Sequence, residues 1–119
     1  MPVAMAMPIT KTRVVPRSEE RRRHQRVKVN LLGRYMLSDR REFPCQVIDM
    51  SPGGMAVVAP VAGNPGDRVI AYVDHLGRLE GKIARLLDNG FAMTISATSR
   101  KRDKLAAQLT WLANRQILN

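Results

Sequence analysis

Cysteine and histidine are scarce in this sequence of 119 residues, which contains one cysteine and two histidines. A single cysteine excludes a disulfide framework within the chain. One cysteine and two widely separated histidines also cannot supply the three or four ligands of an ordinary zinc site, so we predict no metal and no cofactor. Neither histidine lies in a recognisable nucleophile and base arrangement, so we predict no catalytic residue and expect no enzyme.

Long apolar segments are also missing. The longest apolar stretch, Met1 to Ile9, is interrupted by Pro2 and Pro8, and positive charge follows it instead of preceding it. This pattern is typical of neither a signal peptide nor a membrane span. We therefore expect a cytoplasmic protein with no membrane insertion.

Acidic residues are half as numerous as basic ones, ten against twenty, which gives a formal charge of +10 and predicts an anionic partner. Residues 1–28 carry a net charge of +6, residues 29–98 are neutral, and residues 99–119 carry +4. The length is that of one domain. A neutral body with basic ends favours a local anion-binding site, and residues 1–18, which lack periodicity, are predicted to be a flexible arm.

Alternating apolar and polar residues predict strands. The clearest is Val27 to Leu37, with Gly33 as the site of a bend or bulge, and the second runs from Phe43 to Ile48. Asp49 continues the core-facing side of that second strand. Four further strands are predicted at turn spacings of about ten residues, around 55–59, 68–73, 79–86 and 91–95, the last two joined by an Asn-Gly turn with positive φ. Six short strands indicate a small antiparallel barrel or sandwich.

The end of the chain has helical periodicity. One apolar stripe from about Ser99 to Leu118 predicts a helix that packs on the sheet, with Ser99 as its cap; its members are Leu105, Ala106, Leu109, Leu112 and Ala113. The residues after Ser99 are Arg-Lys-Arg, and the helix dipole disfavours positive charge in a first turn. Either the helix begins later or an anion lies near it.

Two polar motifs carry the chemical information. Arg22 and Arg26 are separated by three residues in an arginine-rich run directly before the first strand, and immobilised arginines can make paired hydrogen bonds to phosphate or to guanine. The alternative is a solvated basic linker. Asp49, Ser51 and Gly54 follow the second strand and form a polar loop that could contact a purine, or a turn that satisfies its own backbone amides.

Together the two motifs resemble those of the PilZ domain, the bacterial receptor for cyclic di-GMP. The resemblance lies in Arg22-x-x-x-Arg26, then Asp49-x-Ser51-x-x-Gly54, with a strand between them, and covers about Glu19 to Leu118. It implies a mainly β fold, a six-stranded antiparallel barrel with a C-terminal helix over residues 19–119. The ligand's two guanines and two phosphates account for arginines and a carboxylate in one site.

The resemblance also implies residue roles. Arg22 and Arg26 would engage phosphate and guanine edges, while Asp49, Ser51 and Gly54 would line the other side of the ligand. Arg21, directly before the motif, resembles the basic residue of members that bind a stacked pair of ligands. The expected function is that of a stand-alone, non-catalytic second-messenger receptor whose arm orders on binding and signals to an unknown downstream protein, in processes such as motility or exopolysaccharide synthesis.

Two rival functions remain open. A basic nucleic-acid-binding protein is favoured by the charge of +10, but the neutral middle and the few aromatic residues argue against it. The second rival function is that of a PilZ-like module that binds only proteins, and the intact motif residues argue against it. The oligomeric state, the ligand stoichiometry and the downstream partner cannot be inferred from the sequence.

Overall fold

The computed structural model describes residues 26–118, with side chains as far as Arg115. The predicted arm, residues 1–18, lies outside the described residues. The six predicted strands and the closing helix are confirmed, in the order β1 Val27–Leu37, β2 Glu42–Ser51, β3 Gly54–Val58, β4 Arg68–Val73, β5 Gly77–Leu87, β6 Gly90–Thr94 and α1 Ser99–Leu118.

The strands close into a single antiparallel barrel with the order β1-β2-β3-β6-β5-β4. The barrel, and not the sandwich, is therefore the architecture. Alternate side chains point inward, and the largest fully buried ones include Tyr35, Phe91, Met50 and Met55. The Tyr35 ring meets Phe91 edge-on at 5.2 Å between centroids, and its hydroxyl donates to the backbone carbonyl of Val61. Burial raises the pKa of Tyr35.

The helix α1 packs against β1 and β2. Leu105, Leu109 and Leu112 are buried, which confirms the predicted apolar stripe. Within residues 26–118, α1 is too polar to serve as a membrane-crossing segment.

The start of α1 differs from the prediction by one residue. The cap is Thr98, whose Oγ1 accepts a hydrogen bond from the backbone N–H of Lys101 at 3.2 Å, and Ser99 is the first helical residue. The helix does not begin later than predicted, so Arg100, Lys101 and Arg102 do occupy its first turn, which contains no acidic residue.

A bulge in β2 overturns the predicted orientation of Asp49. Val47 and Asp49 pair with consecutive residues of β3, so Ile48 is the extra residue between them. The extra residue reverses the alternation, and Met50 turns into the core with no exposed surface. Asp49 consequently lies on the outer face of the barrel, and the prediction that it continues the core-facing side is wrong.

Two glycine predictions are also corrected. The register of β1 shifts between Lys28 and Leu31, not at Gly33, where a Cβ atom would lie 2.6 Å from the carbonyl oxygen of Tyr72. Gly90 follows a turn as predicted but has no positive φ, and a Cβ atom there would collide with the carbonyl of Val57. Both glycines allow neighbouring strands to approach closely.

Candidate functional site

One carboxylate at the barrel surface is shared by two cations. Arg26 directly precedes β1, and the antiparallel register places Lys28 opposite Asp49 of β2. Arg26 Nε donates to Asp49 Oδ1 at 2.9 Å, and Lys28 Nζ lies 3.7 Å from Oδ2. The Arg26 contact uses Nε alone, which leaves the terminal Nη groups able to donate elsewhere. The group therefore carries a net positive charge and retains strong donors.

Ser51 and Gly54 hold the loop between β2 and β3. Ser51 is 5% exposed, and its Oγ accepts a hydrogen bond from the backbone N–H of Gly53 at 3.3 Å, as a turn residue would. A Cβ atom at Gly54 would lie 2.9 Å from the carbonyl oxygen of Met93 on the paired strand β6. The loop thus has a structural role, and the Ser51 hydroxyl proton is still able to donate to a ligand.

These residues line one groove on the outer face of the barrel. The groove has a volume of about 490 Å³, and Arg26, Asp49, Ser51 and Gly54 all border it. Four of the six predicted site residues are therefore brought together, although Arg26 is 23 residues from Asp49 in the sequence. Arg21 and Arg22, the other two, lie outside the described residues.

The floor of the groove is a row of residues in register across four strands. Asp49 of β2 pairs with Ala56 of β3, Ala56 with Ala92 of β6, and Ala92 with Arg85 of β5. The two alanines form a flat, small floor with a carboxylate at one end and a guanidinium at the other. We call this set, Asp49, Ala56, Ala92 and Arg85, the groove row.

Sequence patterns alone missed Arg85 and the alanine floor. In the strict alternation of β5, Arg85 has the same phase as the buried Leu79 and Ile83. An arginine at a core-facing position was the one available signal, because such a charge is rarely buried without a partner. It indicates a bulge that turns the side chain outward.

The described residues offer little for a metal ion, since no cluster of three or more ligating side chains occurs among residues 26–118. Cys45 is buried, and desolvation raises the pKa of its thiol to about 11. The thiol is therefore protonated at neutral pH, which suits a core residue and not a nucleophile.

Residues 20–111 match the PilZ domain. This chain belongs to the PilZ family. Comparison with curated proteins gives no match. The fold is similar to the PilZ domain with c-di-GMP of YcgR from Escherichia coli, with a TM-score of 0.62 and 15% identity over 82% of this chain and 94% of the other.

A second similar structure is the Bacillus subtilis inhibitor of motility MotI/DgrA, with a TM-score of 0.55 and 15% identity. The match covers 79% of this chain and 50% of that one, so it spans about half of that relative. Both similarities concern the fold. They establish that this PilZ domain has the architecture implied by its two motifs.

Proposed function

We propose that this PilZ domain is a non-catalytic receptor that binds cyclic di-GMP in the groove. The observation that carries the proposal is the meeting of Arg26, Asp49, Ser51 and Gly54 in one groove of about 490 Å³. Its support also includes membership of the PilZ family and a fold like that of the YcgR domain with c-di-GMP.

The carboxylate favours a guanine over a simple phosphate. Asp49 is an acceptor, and a phosphate group would be repelled by it, whereas the N1–H and N2 amino groups of guanine donate to a carboxylate. Its side chain is 21% exposed at the groove, so a base can reach it. Guanine donors would replace or share the contact with Lys28, which is long at 3.7 Å.

The cations favour a ligand that also carries phosphates. Arg26 is 49% exposed and its Nη groups can form charge-assisted hydrogen bonds to phosphate oxygens. Arg21 and Arg22 precede it in the chain, and we propose that they complete this contact when the ligand binds. Fixing each residue costs on the order of 1–2 kcal/mol in backbone entropy, which the charge-assisted bonds offset. The ordered segment would then present a changed surface to a downstream protein, in motility or polysaccharide control.

Isothermal titration of the full chain with cyclic di-GMP, at about 150 mM salt, tests the proposal. We expect micromolar or tighter binding, a raised melting temperature, and no comparable response to GTP or cyclic GMP. A stoichiometry of two ligands per chain would support Arg21 as the determinant of a stacked pair, and one ligand would count against it.

The same experiment separates the rival functions. Tight binding of a random oligonucleotide with no response to cyclic di-GMP would favour a nucleic-acid-binding protein, whose affinity should fall steeply with salt. Absence of heat, with an unchanged melting temperature in excess ligand, would contradict the receptor proposal and favour a module that binds only proteins.

A further inference from the structure

We propose that Arg85 is a further ligand-binding residue, which donates to the O6 and N7 edge of a guanine that lies over Ala56 and Ala92 with its N1 and N2 edge on Asp49. The inference rests on the proposed function. It adds a specificity residue from β5, outside both sequence motifs, at the opposite end of the groove row.

The register supports this placement. Asp49 and Arg85 are separated by three strand spacings, about 14 Å between backbones, with only alanine side chains between them. An aspartate, a purine with a hydrogen bond at each edge, and an arginine together span a distance of this order. Small side chains allow the flat face of a base to approach the sheet, and bulkier ones would lift it away.

A bulge in β5 turns Arg85 toward the groove. Ile83 and Arg85 pair with the consecutive residues Met93 and Ala92 of β6, so Ala84 is the extra residue. Ile83 is 2% exposed, while Ala84 and Arg85 are both exposed and both line the groove. Without the extra residue, alternation would place Arg85 in the core. Bulges of this kind re-aim side chains beside binding sites, and the bulge at Ile48 does the same for Asp49.

The charge of Arg85 is not compensated within the described part of the chain. The strands contain three other arginines, and each forms an ion pair with a glutamate: Arg34 with Glu42, and Arg68 and Arg78 with Glu80. Among residues 26–115, Arg85 forms no ion pair with an acidic side chain at a distance of 4.0 Å or less. A guanidinium that lines a groove and has no acidic partner is suited to bind acceptors of a ligand.

The arrangement predicts selectivity for guanine over adenine. Guanine offers two acceptors, O6 and N7, to a guanidinium, and donors at N1 and N2 to a carboxylate. Adenine has an amino donor where guanine has the acceptor O6, so a second donor would face the donors of Arg85. Adenine also lacks the N1 and N2 donors that Asp49 would accept. Both ends of the groove row therefore reject adenine.

Titration of the full-length Arg85→Ala variant tests the inference. We expect at least tenfold weaker binding of cyclic di-GMP than for the wild type, with an unchanged melting temperature without ligand. Arg68→Ala is the matched control, because it also removes one strand arginine but lies away from the groove, and it should bind like the wild type. Cyclic di-AMP should bind neither the wild type nor either variant.

A 7-deazaguanine analogue of cyclic di-GMP identifies the atom that Arg85 contacts. Loss of N7 should weaken binding to the wild type several-fold and make no difference to Arg85→Ala. Wild-type affinity in Arg85→Ala would overturn the inference and leave the proposed function standing. A weaker variant combined with no effect of the analogue on the wild type would overturn the contact to the base edge. Absence of wild-type binding to cyclic di-GMP would overturn both proposals.

Discussion

The two outer faces of the barrel use arginine in different ways. Around β1, β4 and the start of β5, each of the three strand arginines contacts a glutamate, either Glu42 or Glu80. At the groove, Asp49 is the single carboxylate beside Arg26 and Lys28, with Arg85 at the far end. The groove thus has three cations against one carboxylate, and two of those cations, Arg26 and Lys28, come from the segment just before the neutral part of the sequence.

The two faces also differ in side-chain size. On β1 and β4, Leu32 and Tyr72 are 64% and 49% exposed, and they stand out from the sheet. In the groove, Ala56 and Ala92 occupy the corresponding outward positions of β3 and β6. The difference teaches that the groove combines uncompensated charge with a flat floor, which the other face lacks.

Of the changes proposed to the two faces, filling the floor of the groove should have the largest effect on ligand affinity. Ala92→Phe places an aromatic side chain between Asp49 and Arg85, where a base would lie. Phenylalanine is well tolerated in β-strands, so the barrel should still fold. We expect about a hundredfold loss of affinity for cyclic di-GMP in isothermal titration, equivalent to about 2.7 kcal/mol. Leu32→Phe, the matched change on the other face, should leave affinity unchanged. Equal affinity of the two variants would mean that the ligand does not lie on the alanines.

Substitution of the two loop glycines should show that Gly54 is required for packing and that Gly53 is not. Gly54→Ala forces a Cβ atom to within 2.9 Å of the Met93 carbonyl, and overpacking of this kind costs roughly 1–3 kcal/mol of the free energy of unfolding. Gly53→Ala meets nothing within 4 Å, so it should be neutral to within about 0.5 kcal/mol. Urea unfolding measures both values. If the two variants were equally stable, Gly54 would have no packing role.

Removal of one paired arginine from each face should have the smallest of these effects. Arg26→Ala should weaken cyclic di-GMP binding about tenfold, or about 1.4 kcal/mol, because it removes a phosphate donor and a neighbour of Asp49. Arg34→Ala breaks a similar exposed ion pair with Glu42 and should leave affinity as it is. Both changes should barely alter stability, since exposed ion pairs contribute little. A similar loss of affinity in both would indicate long-range attraction and no local contact.

Local patterns were sufficient to predict most of the fold. The bounds of β1 and β4 agree with the prediction and the start of α1 differs by one residue, because alternation and the helical stripe are long and strongly periodic there. The turn at Ser51 was also predictable, since proline and adjacent glycines end a strand. The four site residues in the described part of the chain belong to two motifs that are visible in the sequence.

The bulges could not be predicted from local sequence patterns. A strand with an extra residue has the same composition as one without it, and only pairing with a neighbouring strand shows where the alternation reverses. For that reason Asp49 was predicted on the wrong face, and Arg85 was not predicted at the site at all. Gly33 and Gly90 were misjudged for a related reason, because the backbone that approaches each of them comes from a distant strand.

The sequence by itself determined the six strands, the closing helix, the excess of positive charge and the two motifs that resemble those of PilZ domains. These depend on periodicity, turn residues and composition, which act between neighbours in the chain. Tertiary structure alone decided that the groove row spans four strands with Asp49 and Arg85 at its ends. Its register is set by barrel closure, because each strand must bury one face while two bulges turn charged side chains out of the core.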